Sequence, residues 1–216
     1  MLMLVHRVLR QIGYWWSIDR PASLWAKMYL RFKYDCYVSR RSFIFYPDKI
    51  KLGENSTIYE HAMLNFKSSR SHFSPSIDVG SNSQIMPYAK IIPQQGFVKI
   101  GKNCTVQYGC LLYGVGGLEI GDNTRIAAHT VVSPMNHVFK DPHVPIWTQG
   151  ETALGIKIGN DVWIGSGVKI LDGVVIGDGS VVGAGSVVTK SIPPFSIAVG
   201  VPARVISRRD GGMSEA

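Results

Sequence analysis

An aliphatic residue recurs at every sixth position from residue 52 onward, and this period governs what the chain can fold into. Leu52, Ile58 and Leu64 open the series, followed by Val79, Ile85, Ile91 and by Ile100, Val106, Leu112. Ile120, Ile126, Val132, then Ile158, Ile164, Ile170, and finally Ile176, Val182, Val188 complete it. Six residues do not close on the 3.6-residue turn of an α-helix, so short strands separated by turns are expected instead. Each group of three hexads also opens on aliphatic-Gly-any-Asn/Asp/Gly, at Leu52-Gly53, Val79-Gly80, Ile100-Gly101, Ile120-Gly121, Ile158-Gly159 and Ile176-Gly177. Gly with Asn or Asp at a fixed offset marks a turn that needs positive φ. Three hexads then make one triangular coil, and about six coils stack into an all-β solenoid.

The fifth residue of each hexad is small or β-branched: Ser56, Ala62, Ser83, Ala89, Cys104, Cys110, Thr124, Val162, Val168, Ser186. Together with the aliphatic opener it is expected to fill a narrow interior. Cys104 and Cys110 therefore read as core filler. With Cys36 they make an odd number without metal-ligand spacing, which argues against a disulfide framework or a zinc knuckle and makes a reducing cytoplasm the default compartment.

Charge divides the chain differently. Residues 1–41 carry +6 of the net +8, through Arg7, Arg10, Arg20, Lys27, Arg31, Lys33, Arg40 and Arg41 against Asp19 and Asp35. The same stretch holds Tyr14, Trp15, Trp16, Trp25, Tyr29, Phe32, Tyr34 and Tyr37. A helical basic and aromatic arm is thus expected over 1–45, a solenoid over 46–206, and a flexible tail over 207–216. Leu4, Val8, Ile12, then Trp25, Met28, Tyr29 and Phe32 recur at spacings of three and four, suggesting two amphipathic helices broken at Pro21. Such helices have two readings: a cap over the open end of the prism, or a surface in which Trp15, Trp16, Arg7, Arg10 and Arg20 rest on an anionic membrane. No apolar run is long enough to span a bilayer, and His6, Arg7 and Arg10 interrupt any secretory leader. The aromatics fall in no known nucleic-acid-binding motif, so no nucleic-acid partner is expected.

A solenoid places its chemistry where it departs from its own period. Coil-to-coil spacing of the openers runs 27, 21, 20, 38 and 18 residues, so the large excess lies between Val132 and Ile158. The inserted segment, MNHVFKDPHVPIWTQGETALG (135–155), has no aliphatic beat and should leave the prism as a loop. His137 stands at its launch point, anchored by the scaffold. By spacing alone it is either a solvated loop histidine or a general base. His129 falls at an outward place of its hexad, His143 lies inside the loop, and His6, His61 and His72 belong to no constellation.

The segment IGNDVWIGSGVKILDGVVIGDGSVVGAGSVVTKSIPPFSIAVGVPARVI (158–206) resembles the left-handed β-helix hexapeptide-repeat acyltransferases. The resemblance covers about 52–206 and points to the galactoside, maltose and xenobiotic acetyltransferase branch. The basic, Trp-rich N-terminus looks most like that of sugar O-acetyltransferases of bacterial surface-polysaccharide clusters. The likeness implies left-handedness, acetyl-CoA as acyl donor without a metal, and a homotrimer with sites between subunits. It also implies that His137 is the base. An acceptor hydroxyl must lose its proton as it attacks a thioester, and an imidazole of ordinary pKa near about 6.5 can take that proton. Carried over position by position, Trp163, Ser166 and Ala184 meet the pantetheine, while Thr189, Lys190 and Arg204 meet the nucleotide and phosphates. Gln107, where relatives place Asn, and Asn136 are the expected acceptor contacts. Gly114 and Val115 stand where relatives often place acids, which speaks against a free galactoside acceptor.

The resulting expectation is an acetyl-CoA-dependent O-acetyltransferase for a sugar of O-antigen, capsule or exopolysaccharide, cytoplasmic or peripheral to the inner face of the membrane. N-acetylation of a nucleotide-linked amino sugar, a zinc lyase and a non-catalytic membrane-associated scaffold are the alternatives.

Overall fold

In the computed structural model, which describes residues 24–66 and 75–209, the hexads wind into a left-handed parallel β-helix. Its three faces are a nine-stranded, a seven-stranded and a six-stranded sheet, here called the first, second and third face. Equivalent residues of successive coils stand in register. On the first face the column runs Val38, Ile58, Ile85, Val106, Ile126, Ile164, Val182, Ala198. All eighteen hexad openers are buried, so the sequence beat is the core. The third face contributes a second inward column, two residues before the first: Ile50, Ile77, Val98, Leu118, Ile156 and Val174 are buried as well. Coils longer than eighteen residues carry their extra residues at the corner before this face, where the steps from Ile91 to Ile100 and from Leu112 to Ile120 are nine and eight residues.

The fifth-place residues are buried too, and their hydroxyls join coil to coil. Ser83 Oγ donates to Gly101 O at 2.8 Å and accepts from Cys104 N at 2.9 Å. Thr124 Oγ1 donates to Gly159 O at 2.9 Å, and Thr130 Oγ1 to Gly165 O at 3.1 Å. Buried hydroxyls require such partners; the adjacent coil supplies them to Ser83, Thr124 and Thr130, while Ser56 Oγ is left without one. At the corners the left-handed conformation falls on Asn55, Asn82, Asn103, Asn123 and Asp161. The glycines two places earlier serve close approach instead: a Cβ on Gly80 would lie 2.5 Å from the carbonyl carbon and oxygen of Gly101.

The solenoid starts earlier than the expected boundary near residue 45. Strands Tyr37–Val38 and Phe43–Ile44 pair with Thr57–Ile58 and Met63–Leu64, so they belong to the prism. The signal was obscured because the short 3₁₀ turn Pro47–Lys49 at the corner before the third face stretches the step from Ile44 to Leu52 to eight residues.

Helix α1 (Leu24–Tyr34) closes that first coil. Leu30 is fully buried beneath it. Lys27 Nζ donates to Arg40 O at 2.8 Å and Ser42 O at 2.6 Å, and burial pushes its pKa down. Arg31 Nε donates to Val38 O at 2.9 Å. These cations occupy backbone carbonyls that no preceding coil pairs, as a solenoid cap must. The first expected amphipathic helix, with Trp15, Trp16, Arg7, Arg10 and Arg20, lies outside the described residues.

At the other end Ser196–Gly200 adds a last parallel strand, and Ala203–Arg208 folds back antiparallel upon it. Arg209 Nη1 bonds Asp161 Oδ2 and Gly179 O, each at 2.9 Å. Residues 207–209 are therefore bound to the scaffold and not part of a free tail; 210–216 lie outside the described residues.

Because the Gly80 contact is with backbone, which cannot step aside, Gly80→Ala should destabilise the fold by about 1–3 kcal/mol in urea unfolding.

Candidate active site

The insertion leaves the prism at the corner between the second and third faces, after strand Val131–Ser133 and before Ile156–Ile158. It is not irregular throughout. Asn136–His137 and Glu151–Thr152 pair antiparallel, so His137 stands opposite Glu151 at the neck of the loop. Asp172, on the same corner one coil further, fixes that neck. Its Oδ1 accepts from Leu154 N at 2.8 Å and Gly155 N at 3.1 Å, and its Oδ2 from Thr152 Oγ1 at 3.2 Å. Gln149 organises the tip by donating to Asp141 O and Val144 O.

His137 is half exposed, with Nδ1 3.7 Å from Glu151 Oε1. That separation is too long for a hydrogen bond, and it leaves the carboxylate facing the imidazole across the neck of the loop. Neither Glu151 nor Asp172 was recognisable from sequence. Glu151 lies in a segment with no period, and Asp172 occupies a corner position that Asx residues fill elsewhere for purely structural reasons. Asp122, Asn160 and Asp178, for example, bind backbone N–H groups of the preceding coil.

A second constellation lies on the first face and its corner with the second. Gln107, Trp163 and Ser166 line one groove with Thr105, Arg125, Ile126, Ala127 and Ala128, enclosing about 380 Å³. Trp163 is 56% exposed and in register with Arg125 on one side and Val181 on the other. Gly185 N donates to Ser166 O, so Ala184 continues the same corner column one coil on. Arg204 is exposed on the last antiparallel strand, opposite Val199, at the end of this same face. Arg125 and Thr105 are groove residues that sequence spacing did not single out.

The expected site residues thus fall into two groups. Gln107, Trp163, Ser166, Ala184 and Arg204 share the first face and its edge. Asn136 and His137 stand at the corner between second and third faces, and the exposed Thr189 and Lys190 follow strand Val187–Val188 at that corner two coils on. The breadth of the second face separates the two groups within one chain.

The remaining histidines stand apart. His129 points outward over Gly109, His61 stacks on Tyr88 at 5.0 Å, and His143 lies in the exposed loop; His6 and His72 lie outside the described residues. Among the described residues no three His, Cys, Asp or Glu side chains gather as a metal site.

Cys104 and Cys110 are buried and donate to Gly121 O and Ala127 O, each at 3.1 Å. Burial raises both thiols, Cys110 to about 11, and Cys36 likewise to about 11. None is a ready nucleophile.

Residues 155–190 match the bacterial transferase hexapeptide family (six repeats). Over 110 residues the chain is 44% identical to galactoside O-acetyltransferase of Escherichia coli, covering 50% of this chain and 53% of that one. It is 41% identical to nodulation protein L of Rhizobium meliloti over 110 residues, 50% of this chain and 58% of that one. The chain therefore spans little more than half the length of these curated relatives. Among solved structures, AntD, an N-acyltransferase from Bacillus cereus in complex with dTDP and 3-hydroxybutyryl-CoA, superposes with a TM-score of 0.56 at 21% identity, covering 89% of this chain and 91% of that one. That likeness is one of fold.

The raised thiol pKa values give a direct test. At pH 8 the native protein should leave Cys104 and Cys110 unlabelled by a disulfide reagent, and denaturant should expose all three cysteines to it.

Proposed function

We propose that this chain, whose residues 155–190 match the bacterial transferase hexapeptide family, is an acetyl-CoA-dependent O-acetyltransferase. Its acceptor is a sugar hydroxyl of a bacterial surface polysaccharide, O-antigen, capsule or exopolysaccharide. The observation that carries this reading is His137 at the neck of the insertion, accessible and with its Nδ1 turned to Glu151. The 44% identity to a galactoside O-acetyltransferase supports acetyl transfer to oxygen.

His137 Nε2 accepts the proton of the sugar hydroxyl while that oxygen forms its bond to the thioester carbonyl carbon. When the tetrahedral adduct collapses, the C–S bond breaks and the imidazolium returns the proton to the departing sulfur. Glu151 stabilises the positive charge that His137 carries between these steps. No acyl-enzyme is required, in keeping with thiols held protonated by burial.

The donor's extended arm fits the groove along the first face, where Trp163 offers an apolar wall, Ser166 a hydroxyl and Ala184 a backbone edge. Arg204 at its far end, and Lys190, are exposed cations suited to the phosphates. Gln107 at the groove and Asn136 beside the base are placed to hold the acceptor hydroxyls. Gln107 and Trp163 share a groove that His137 does not reach within one chain, so the complete site joins the first face of one copy to the second–third corner of another. A cyclic trimer does this three times over. The insertion supplies contact surface for it, since Phe139, Ile146, Trp147 and Leu154 stand exposed on its outside. The three free thiols suit a reducing, cytoplasmic setting.

His137→Ala should lower acetyl transfer by about a hundredfold or more while coenzyme A still binds by equilibrium dialysis. A few-fold loss would refute His137 as base. The shared site has its own test: His137→Ala and Trp163→Ala proteins, each impaired alone, should on co-refolding recover up to about a quarter of wild-type sites, as random assembly of a ring predicts. Failure to recover activity in demonstrably mixed trimers would place the whole site in one chain.

A further inference from the structure

Helix α1 has two unlike sides. One seals the prism through Lys27, Leu30 and Arg31. The other turns large aromatics to solvent: Trp25 is 74% exposed, Phe32 84%, and Tyr29 stands between them. Their spacing of four and three residues puts them on one stripe of the helix. An apolar stripe of this kind on a capping helix has no role in closing the core, because the core-facing side already does so.

The charge around the stripe is mostly positive. Lys33 is exposed on α1 itself, and Arg40 and Arg41 are exposed on the first coil directly beneath. Between residues 24 and 49 only Asp35 and Asp48 oppose six basic side chains. Aromatic side chains flanked by cations on an amphipathic helix are suited to the headgroup boundary of an anionic bilayer, where rings enter the interface and cations meet phosphate. A protein partner of matching chemistry would need an acidic rim around an apolar groove, and the described residues at this end provide none for a second copy.

We propose that the α1 end of the prism docks on an anionic phospholipid surface through Trp25, Tyr29 and Phe32, with Lys33, Arg40 and Arg41 as the electrostatic ring. No described helix is long and apolar enough to cross a membrane, so the contact is peripheral. Docking stands apart from acyl transfer and deepens it in one respect. Gln107 lies three coils from the cap, about 15 Å at about 4.8 Å per coil, which brings the acceptor groove within reach of a glycan still attached to a membrane lipid.

Full-length protein should co-sediment with vesicles of phosphatidylcholine containing about one third phosphatidylglycerol at low salt, and much less with pure phosphatidylcholine. Trp25→Ala/Phe32→Ala should weaken that binding by about tenfold or more, and Arg40→Glu/Arg41→Glu should abolish its salt-sensitive part. Both variants alter exposed side chains outside the groove, so unchanged coenzyme A binding and melting temperature will certify the fold. Protein that stays in solution with anionic vesicles at low salt, or variants that sediment like wild type, would overturn the proposal. So would a native mass that falls in Trp25→Ala/Phe32→Ala without any lipid dependence, since the face would then join copies of the chain.

Discussion

Everything in this molecule hangs on the backbone hydrogen bond from each coil to the next, made at about 2.8–3.0 Å along three faces. Because those bonds lock equivalent residues into columns, a single inward side chain per hexad must pack against its counterparts above and below. Leu, Ile and Val fill that column along most of the prism, and small or β-branched residues take the fifth place beside it on the first and second faces. The same bonds fix where the chain can change. An insertion within a strand would break three columns, whereas one at a corner breaks none. Chemistry is therefore confined to corners and outer faces.

The insertion obeys that rule and is itself restrained. Asp172 accepts three hydrogen bonds at its neck, and the Asn136–His137 pairing with Glu151–Thr152 sets the direction of the imidazole. His137 is thus held nearly as firmly as the prism while its ring remains accessible. The groove of Gln107, Trp163 and Ser166 is equally rigid, being carved from three consecutive coils. If the two groups of candidate residues form one site as proposed, rotation about a common axis would bring these unlike edges of identical copies together.

The period announced the prism, its core and the position of its one long insertion. It failed at the first coil, where the 3₁₀ turn Pro47–Lys49 at the corner made the step from Ile44 to Leu52 eight residues long. It also left the glycine motif half read: the turn's left-handed residue is the Asn, while the Gly clears space for the neighbouring backbone. At the site, His137 was visible because it stands where the beat stops. Glu151 and Asp172 were not, since side chains that meet through a hairpin neck and a corner leave no mark on a one-dimensional pattern.

The sequence by itself determined the solenoid, because a six-residue aliphatic beat with Gly-x-Asn corners has no other way to bury its apolar residues and satisfy its backbone. Through a familiar pattern it also nominated Trp163, Ser166 and Lys190 as candidate site residues. Only the tertiary structure decided how those residues group. Gln107 and Trp163 are separated by 56 positions yet share a groove, while His137, closer to both in sequence, stands across the second face. The physical reason is the winding itself. Position along the chain sets the corner modulo three hexads, and the 38-residue coil that holds the insertion shifts that count in a way only the folded coil reveals.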